Sequence, residues 1–345
     1  MKILVGISGG VDSAFAAKRL IEEGNCVEGA ILKMHEYTEI SAAEEVAENI
    51  GIPLHVIDCT AAFDNIIRKN FVEEYLAGRT PNPCIKCNET VKFRFLYDYA
   101  MANGFDAIAT GHYARVTKVD HGGKVGYALS VADDNRKDQT YMLYRLPQEI
   151  IEDLILPLGD ISKEEVRLIA AERGINAAER PDSQEICFLP NGNYSDYIES
   201  VAGKCPAGDF VDDRGNILGK HKGIIHYTVG QRKGLGISLG ERAFVTKIDP
   251  VGNTVTLSPS HTGALHVRLQ DVVYPGMSAS NAELLGSFQA KLRYGASFTE
   301  CNATLEKDGS VVLAFASPVK AAPGQSAVLY RGGVVMCGGF IKESF

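Results

Sequence analysis

Residues 1–24, MKILVGISGGVDSAFAAKRLIEEG, contain the segment that decides the fold. Lys2–Ile7 is a continuous apolar run rich in β-branched residues, which is typical of a buried strand. Ser13–Glu23 repeats apolar residues at helical spacing and is followed by Gly24, a common helix-stop signal. The loop Gly6–Ser13 joins the two elements. This strand–loop–helix order predicts the start of an α/β domain.

The same alternation continues through the first half of the chain. Further strands are predicted at Val27–Leu32, Pro53–Ile57 and Ala107–Thr110. Ser41–Ile50 is a predicted helix with a capping box formed by Ser41 and Glu44, and Ser162–Arg173 is a later helix. Strands that alternate with helices indicate a doubly wound parallel sheet, which binds ligands at the carboxyl ends of its strands.

The chain changes character near residue 200. Gly203–Gly208 is rich in Gly and Pro, which suggests a boundary. Short alternating runs separated by turns follow at Gly223–Val229, Ala243–Ile248, Asn253–Ser258, Ser287–Tyr294, Cys301–Leu305, Ser310–Ala316 and Ser326–Tyr330. This pattern predicts an all-β tail long enough for two small β modules.

The loop Gly6–Ser13 is the strongest local candidate for ligand binding. Its paired glycines allow backbone N–H groups to approach an anion at the start of a helix. The loop has no Lys, so it is not a Walker A loop, and its glycine spacing is not GxGxxG. Asp12 would repel a phosphate unless a cation intervenes, which suggests Mg²⁺. The alternative is a plain glycine turn between strand and helix.

The net charge of the 345-residue chain is −8, with a pI of about 5.6, which argues against a nucleic-acid partner. The charge is nevertheless asymmetric, because residues 1–200 carry 20 − 32 = −12 and residues 201–345 carry 15 − 11 = +4. Residues 214–247 hold seven basic residues and one acid, Glu241. The seven are Arg214, Lys220, Lys222, Arg232, Lys233, Arg242 and Lys247. A local basic segment suffices for phosphate contacts, so a nucleic-acid partner stays open.

The eight cysteines are dispersed, unlike those of a small disulfide-rich secreted domain. With no signal peptide and no apolar run long enough to span a membrane, we expect a soluble cytoplasmic protein with reduced thiols. Only Cys84 and Cys87 form a tight pair, and nearby Lys86 and Lys92 would favour the thiolate. The pair could also hold zinc, although no second ligand pair occurs. Cys187 ends a polar run that begins at Arg180, and its local chemistry is compatible with a reactive thiol or with a small buried core residue. The remaining cysteines are interpreted as packing or incidental thiols: Cys26, Cys59, Cys205, Cys301 and Cys337.

Several segments occur together in a recognisable order. They are SGGVDS, TPNPCIKCN followed by KF, TGHYARV (110–116), KDQTYML (137–143), PDSQEICF (181–188), HKGIIHYTVGQRKGLGI (221–237), the Arg293-Tyr294 pair and Pro323-Gly324-Gln325. Over nearly the whole chain they resemble the bacterial tRNA-specific 2-thiouridylases, the MnmA family of the PP-loop ATP pyrophosphatase superfamily. The resemblance implies an ATP-binding catalytic domain at 1–200, a central β-rich tRNA-contacting domain at 201–262 and a C-terminal β-barrel at 263–345.

The resemblance also implies a mechanism. ATP would bind Gly6, Ile7, Ser8, Gly9, Gly10, Val11, Asp12 and Ser13, with its adenine near Met34 and Gly111. The 2-carbonyl oxygen of the wobble uridine would be adenylated, and Cys187 would carry sulfur as a persulfide from a relay protein or a cysteine desulfurase. Cys87 would release that sulfur to the base and form a transient disulfide with Cys187, or release hydrosulfide first.

The family pattern further assigns contacts to tRNA, expected to be the tRNAs for Lys, Glu and Gln. Asn82, Pro83 and Cys84 would meet the target base, and His112, Lys137, Asp138, Gln139, Arg293, Tyr294 and Gln325 would contact tRNA. Each residue also has a purely structural interpretation. His112 could be a hydrogen-bonded strand-end residue, Lys137 and Asp138 a solvated ion pair, and the Arg293-Tyr294 pair a surface feature of a strand.

Two departures from the family pattern leave alternatives open. Cys84 stands where Asp is usual, so Cys84, Cys87 and Cys187 could instead hold a [4Fe–4S] cluster that carries sulfide. The segment Met34–Ile52 is shorter than is usual in the family and lacks the cysteine- and aspartate-containing stretch common there. The other candidate functions are a different adenylating ligase or amidotransferase on the same loop fold, and an iron–sulfur or zinc RNA-binding protein with a regulatory nucleotide loop.

Overall fold

A computed structural model describes residues 1–120, 125–175, 186–189, 192–237, 242–260, 263–277 and 286–345. Its strands are β1 Lys2–Gly6, β2 Cys26–Lys33, β3 Leu54–Asp58, β4 Ala107–Thr110, β5 Arg115–Asp120, β6 Val125–Ser130, β7 Leu154–Ile155, β8 Gly208–Val211, β9 Ile217–His221, β10 Phe244–Asp249, β11 Thr254–Ser258, β12 Ala264–Val273, β13 Ser287–Lys291, β14 Thr299–Leu305, β15 Val311–Val319, β16 Ser326–Arg331 and β17 Val334–Ser344. Three sheets contain these strands.

The helices follow the same chain order. They are α1 Val11–Glu22, α2 Ile40–Ile50, α3 Thr60–Ala62, α4 Lys69–Leu76, α5 Pro83–Cys87, α6 Phe93–Ala102, α7 Thr140–Leu143, α8 Gln148–Glu152, α9 Lys163–Glu172 and α10 Tyr194–Ala202. Two π-helical turns, Phe63–Arg68 and Asn88–Lys92, interrupt the helical segments before α4 and α6. Within the described ranges, no helix is both long and apolar enough to cross a bilayer.

The first sheet is parallel, with the order β3-β2-β1-β4-β7. Successive side chains of β1 pack in two different hydrophobic cores, one on each face of the sheet, because the side chains of a strand point alternately to opposite faces. Ile3 and Val5 pack with α1, α2 and α9, whereas Leu4 packs with the helices between β3 and β4. The sheet is therefore covered on both faces, and the predicted doubly wound fold is confirmed.

The remaining sheets confirm the predicted β-rich tail. A central four-stranded sheet has the order β10-β11-β8-β9. The last sheet runs β12-β15-β14-β13-β16-β17, and β17 pairs back to β12, so that six antiparallel strands close a barrel. An unpredicted hairpin, β5–β6, extends this sheet through the pair Val334–Ser130. The first half of the chain is thus attached directly to the barrel.

Two local predictions are wrong. Gly223–Val229 is not a strand but contains a short 3-10 turn at Ile224–His226, because the His226 N–H donates to the Gly223 carbonyl at 3.2 Å and the Tyr227 N–H to the Ile224 carbonyl at 3.1 Å instead of pairing with another strand. Ser41 does not cap a helix, since α2 starts one residue earlier and its first turn has no side-chain cap. A capping box occurs instead at Ser162 and Glu165 before α9.

Candidate active site

The loop after β1 has the geometry of an anion-binding turn. Gly9 adopts φ 79°, a left-handed conformation that favours glycine. A Cβ on Gly9 would lie 2.8 Å from the Ala42 Cβ, so no larger residue fits against α2. No side chain caps the first turn of α1 at Gly10. The start of α1 therefore presents N–H groups beside a loop that only glycine can form.

Two serines of the loop define its shape. The Ser13 hydroxyl donates to the Gly10 carbonyl at 3.0 Å and accepts from the Ser8 backbone N–H at 3.1 Å. The two hydroxyl oxygens lie 3.2 Å apart, and Ser13 is only 5% exposed. Ser13 thus holds the turn together from inside, while Ser8 lies at its surface.

Asp12 already has a cation in the structure. The Lys163 ammonium lies 2.7 Å and 2.6 Å from the two Asp12 carboxylate oxygens, and the Tyr113 hydroxyl donates to the same carboxylate at 2.7 Å. The sequence argument used Asp12 to infer Mg²⁺, but here Lys163 balances its charge. Sequence patterns did not identify Lys163, because only the packing of α9 against α1 places it beside the loop.

The predicted adenine-site residues connect this loop to the cysteines. Gly111 follows β4, and a Cβ there would lie 2.6–2.7 Å from backbone atoms of Asp12 and Ser13, so glycine is needed for this close packing. Met34 follows β2, and its sulfur lies 3.8 Å from the Cys87 sulfur. β2, β1 and β4 are neighbours in the sheet, and their carboxyl ends lead to Met34, the glycine loop and Gly111, respectively. The contact between Met34 and Cys87 therefore brings the thiol segment to the same edge of the sheet as the loop.

The segment Thr80–Asn88 positions two of the cysteines. The Asn82 side chain accepts the Cys84 backbone N–H at 3.1 Å and caps α5, and buried Pro83 occupies its first turn. Cys87 ends this helix at 7% exposure, whereas Cys84 is exposed. The side chain of Asn82 is therefore a helix cap in this structure, and its predicted contact with the target base stays a prediction.

Cys187 approaches the same region from another segment. Residues 181–185 of its motif lie outside the described part of the chain, but Cys187 itself is described and exposed. The neighbouring Phe188 is buried, with ring centroids 5.6 Å from Phe63 and 5.3 Å from Phe71. This aromatic packing fixes Cys187 at the surface, close enough for its charge to act on Cys84 and Cys87.

Surrounding protein disfavours the thiolate at all three cysteines. Burial raises the pKa of the Cys87 thiol to about 12. Partial desolvation by neighbouring residues also raises the pKa values of the Cys84 and Cys187 thiols, although both residues keep exposed surface. The positive charge of Lys92 opposes the rise at each of the three. Lys86, also predicted to favour thiolate, instead pairs with Glu89 at 3.6 Å.

The residues His112 and Gln139 have structural roles at this edge. The His112 Nδ1 lies 2.8 Å from the Thr110 hydroxyl, and its ring lies 5.4 Å from that of Phe93. Burial first, and the charge of Lys92 second, lower the pKa of His112 to about 3, so the ring is neutral at physiological pH. Gln139 exchanges two 2.8 Å hydrogen bonds with the backbone of Tyr113.

Asp138 does not match the expected tRNA contact. Its carboxylate is fully buried, lies 3.1 Å from the Lys291 ammonium and accepts the Thr140 hydroxyl at 2.7 Å. It is a buried link to the barrel rather than a solvated partner of Lys137, so a direct tRNA contact by Asp138 is not supported. Lys137 is half-buried on the loop beside it.

The barrel contributes three predicted tRNA residues. Arg293 and Tyr294 are exposed, and the Tyr294 ring lies 6.3 Å from Tyr141 and within electrostatic range of Cys84. The Gln325 amide donates to the Thr80 carbonyl at 2.7 Å, and the Thr80 N–H donates to the Pro323 carbonyl at 2.9 Å. The barrel turn is thus docked on the segment that precedes the cysteine helix.

The donor set does not fit an iron–sulfur cluster. Among the described residues, no group of three His, Cys, Asp or Glu side chains is arranged to hold a metal ion. The [4Fe–4S] alternative is therefore not supported, and no step is assigned to such a cluster.

Three family models match the chain in consecutive segments. The tRNA methyl transferase HUP domain matches residues 1–191, the tRNA methyl transferase PRC-barrel domain residues 195–259, and the aminomethyltransferase beta-barrel domain residues 265–341. The first model alone covers more than half of the 345 residues.

Curated relatives match over the full length. A tRNA-specific 2-thiouridylase MnmA of Acetivibrio thermocellus is 42% identical over 359 residues, covering 99% of each chain. The protein of the same name from Lachnoclostridium phytofermentans is 42% identical and also covers 99% of each chain. The one from Clostridioides difficile is 40% identical and covers 99% of this chain and 98% of its own.

Proposed function

This chain belongs to the family of the tRNA-specific 2-thiouridylases, and on that premise we propose that it is an ATP-dependent tRNA sulfurtransferase. It replaces the 2-oxygen of the wobble uridine with sulfur and yields 2-thiouridine, AMP and pyrophosphate. One observation carries the proposal: Met34 joins the nucleotide edge to the Cys87 thiol, with 3.8 Å between the sulfurs. A nucleotide loop and a thiol cluster at one edge are what sulfur insertion by adenylation requires.

The first step activates the base. The uridine leaves its stack, because an enzyme cannot reach the carbon within a paired or stacked strand. Its 2-carbonyl oxygen attacks the α-phosphorus of ATP, and pyrophosphate leaves with the electrons of the broken P–O bond. Magnesium accompanies ATP on its phosphates as part of the substrate. The base now carries AMP, a far better leaving group than oxide.

The second step inserts sulfur. The terminal sulfur of a Cys187 persulfide, supplied by a relay protein or a cysteine desulfurase, attacks the activated carbon and AMP leaves. The Cys87 thiolate then attacks the Cys187 sulfur, which breaks the persulfide S–S bond and leaves one sulfur on the base. The products are 2-thiouridine and a Cys87–Cys187 disulfide, which a cellular thiol reductant must reduce. In the alternative order, Cys87 attacks first and releases hydrosulfide, which then attacks the carbon.

Lys92 is the residue we expect to make this thiol chemistry possible. The π-helical turn Asn88–Lys92 follows Cys87 directly, and the Lys92 backbone also favours the thiolate of Cys87. Such wide turns are rare and occur often at functional sites. Because its charge favours the thiolate at Cys84, Cys87 and Cys187 alike, one cation serves the whole cluster.

We expect Lys92→Met to slow thiolation about ten-fold at pH 7, because each unit of added thiol pKa lowers the thiolate population ten-fold. Lys92 lowers the pKa values of the thiols, so its loss raises them and moves the rise of rate with pH to higher pH. Lys86→Met is the matched control, since Lys86 pairs with Glu89. Rate–pH profiles of both variants test this, and identical profiles for Lys92→Met and the wild type would exclude the role.

The basic segment of the central domain is proposed to hold the tRNA backbone. Six of its basic residues are exposed without a described ion pair: Arg214, Lys222, Arg232, Lys233, Arg242 and Lys247. Lys220 is exposed but pairs with Asp209 at 2.8 Å, and Glu241 lies outside the described residues. Positive side chains that contact phosphates release the counterions bound there. Such a segment can therefore bind RNA even though the net charge of the whole protein is negative.

Arg232→Glu should weaken tRNA binding at least about five-fold near 0.1 M salt and reduce the salt dependence of the affinity. Lys69→Glu is the control, because Lys69 is an exposed cation of the acidic first half, 4.0 Å from Glu73. Filter binding across a salt series measures both. If Arg232→Glu and Lys69→Glu weaken tRNA binding equally, the basic segment 214–247 has no specific role in holding the tRNA backbone.

Release of AMP and pyrophosphate tests the adenylation step itself. We expect both to form only when ATP and an unmodified tRNA for Lys, Glu or Gln are present together. Pyrophosphate release without tRNA, or release of ADP and phosphate, would argue for a different reaction on this loop.

A further inference from the structure

Cys84 is a third thiol beside the two that the proposed sulfur transfer uses. It lies three residues before Cys87 on α5 and is exposed, whereas Cys87, at the end of that helix, is 7% exposed. The charges of Cys84 and Cys187 both act on Cys87, and that of Cys84 also acts on Cys187. The three thiols therefore form one cluster, although a persulfide carrier and an attacking thiol account for only two of them.

The helix α5 allows Cys84 and Cys87 to be joined. Residues i and i+3 of a helix lie on the same face with their Cβ atoms about 5–6 Å apart, and a disulfide joins Cβ atoms about 3.5–4.5 Å apart. A tightening of the helix by about 1–2 Å is therefore enough to close the bond. The Asn82 side chain holds this turn from its start, because it accepts the Cys84 N–H at 3.1 Å. The exposed thiol of the pair thus lies within reach of the buried one.

A disulfide between Cys87 and Cys187 is open to attack by an external thiol from one side. The Cys87 sulfur is covered by Met34, with 3.8 Å between the two sulfurs, and the following Asn88 amide donates to the Met142 carbonyl at 2.9 Å. Cys187 is exposed, so an external thiol would attack its sulfur first. That attack would leave the external thiol bound to the cysteine that must accept the next sulfur.

We propose that Cys84 is a resolving thiol, which moves the disulfide away from Cys187 after each sulfur transfer. The Cys84 thiolate attacks the Cys87 sulfur of the Cys87–Cys187 disulfide. A Cys84–Cys87 bond forms, the Cys87–Cys187 bond breaks, and its electron pair leaves on Cys187 as a thiolate. The exchange involves no net oxidation, and Cys187 can accept sulfur again.

A cellular dithiol reductant completes the cycle. One of its thiolates attacks the exposed Cys84 sulfur and releases the Cys87 thiolate, and its second thiol then resolves the mixed disulfide and carries away the oxidation. This inference rests on the proposed function for the formation of the Cys87–Cys187 disulfide.

Disulfide mapping after a single turnover tests the exchange directly. Trypsin cleaves after Lys and Arg except before Pro, so Cys84, Cys87 and Cys187 fall in the separate peptides 80–86, 87–92 and 174–204. The full-length protein would be loaded with persulfide by a cysteine desulfurase, freed of cysteine and given ATP, Mg²⁺ and a tRNA transcript. It would then be quenched with acid, and its free thiols would be blocked with N-ethylmaleimide before digestion.

The wild-type protein should yield peptide 80–86 linked to 87–92, with peptide 174–204 blocked as a free thiol. Cys84→Ser should instead trap peptide 87–92 linked to 174–204, because the exchange has lost its nucleophile. Cys26→Ser is the matched control, since Cys26 is an exposed thiol at the start of β2, and it should map like the wild type.

Two results would separate this inference from the proposed function. A wild-type protein that forms 2-thiouridine but keeps peptide 174–204 linked to either of the other two would overturn the inference alone. Absence of both 2-thiouridine and any linked peptide would overturn the inference and the proposed function together.

Repeated turnover gives a readout that contact of Cys84 with the target base would not move. With a dithiol protein as the reductant, Cys84→Ser should lower the ratio of the later turnover rate to the first at least about five-fold. Loss of a base contact would slow the first turnover and the later ones alike. An equal ratio in Cys84→Ser and the wild type would therefore overturn the resolving role.

Discussion

Cys87→Ser and Cys187→Ser should each reduce 2-thiouridine formation at least about a thousand-fold when a cysteine desulfurase supplies persulfide sulfur, because loss of a nucleophile removes a covalent step. Adenylation precedes sulfur transfer, so both variants should still release pyrophosphate in a single tRNA-dependent turnover. Nucleoside mass spectrometry and a pyrophosphate assay measure the two steps separately. A selective loss of the second step is what the sulfur chemistry predicts.

Cys26→Ser is the control for this pair, because Cys26 is exposed at the start of β2, outside the matching motifs. It should retain full activity. Thiolation that survives in both Cys87→Ser and Cys187→Ser would place the sulfur chemistry elsewhere. A different adenylating ligase on the same fold would need neither cysteine and would turn over ATP equally well in all three variants.

Lys291→Met should destabilise the protein by about 3–5 kcal/mol, because it leaves a buried carboxylate unpaired. The Lys291 ammonium lies 3.1 Å from Asp138, and both residues are almost fully buried between the first half of the chain and the barrel. Around them, the Tyr141 hydroxyl donates to the Ser326 carbonyl at 2.9 Å, and the Thr140 and Tyr330 hydroxyls lie 3.1 Å apart. Urea unfolding followed by fluorescence measures the loss.

Arg136→Ala is the matched control for the buried pair. Arg136 binds Asp134 at 2.9 Å only a few residues away, but its side chain is 72% exposed, so its loss should cost less than about 1 kcal/mol. Asp138→Asn/Lys291→Met removes both charges and should recover much of the stability. If Lys291→Met is as mild as Arg136→Ala, the pair does not hold the barrel in place.

The parallel sheet was predictable because its signals are local. The apolar run of β1, the glycine loop and the amphipathic start of α1 all lie within residues 1–24. Four of the six barrel strands, β13 to β16, were likewise predictable from alternation between turns, whereas β12 and β17 were not predicted. The boundaries of the predicted strands and helices shifted by up to three residues, since neighbouring packing rather than composition sets where each element ends.

The features that escaped prediction depend on contacts between distant segments. The hairpin β5–β6 joins the barrel through Val334, more than 200 positions along the chain. Asp138 looked like a solvated acid beside Lys137, but its real partner Lys291 comes from β13. Lys163 lies within the predicted helix Ser162–Arg173, but only the fold places its side chain against Asp12. Local patterns carry no information on such long-range pairs.

The most direct test of the proposed function is nucleoside analysis of an unmodified tRNA transcript incubated with the wild-type protein, ATP, Mg²⁺, a thiol reductant, and a cysteine desulfurase with cysteine as the source of persulfide sulfur. We predict 2-thiouridine at the wobble position of the tRNAs for Lys, Glu and Gln, with about one AMP released per sulfur inserted. Absence of any thionucleoside under these conditions, or sulfur found at another position of the tRNA, would contradict the proposed activity.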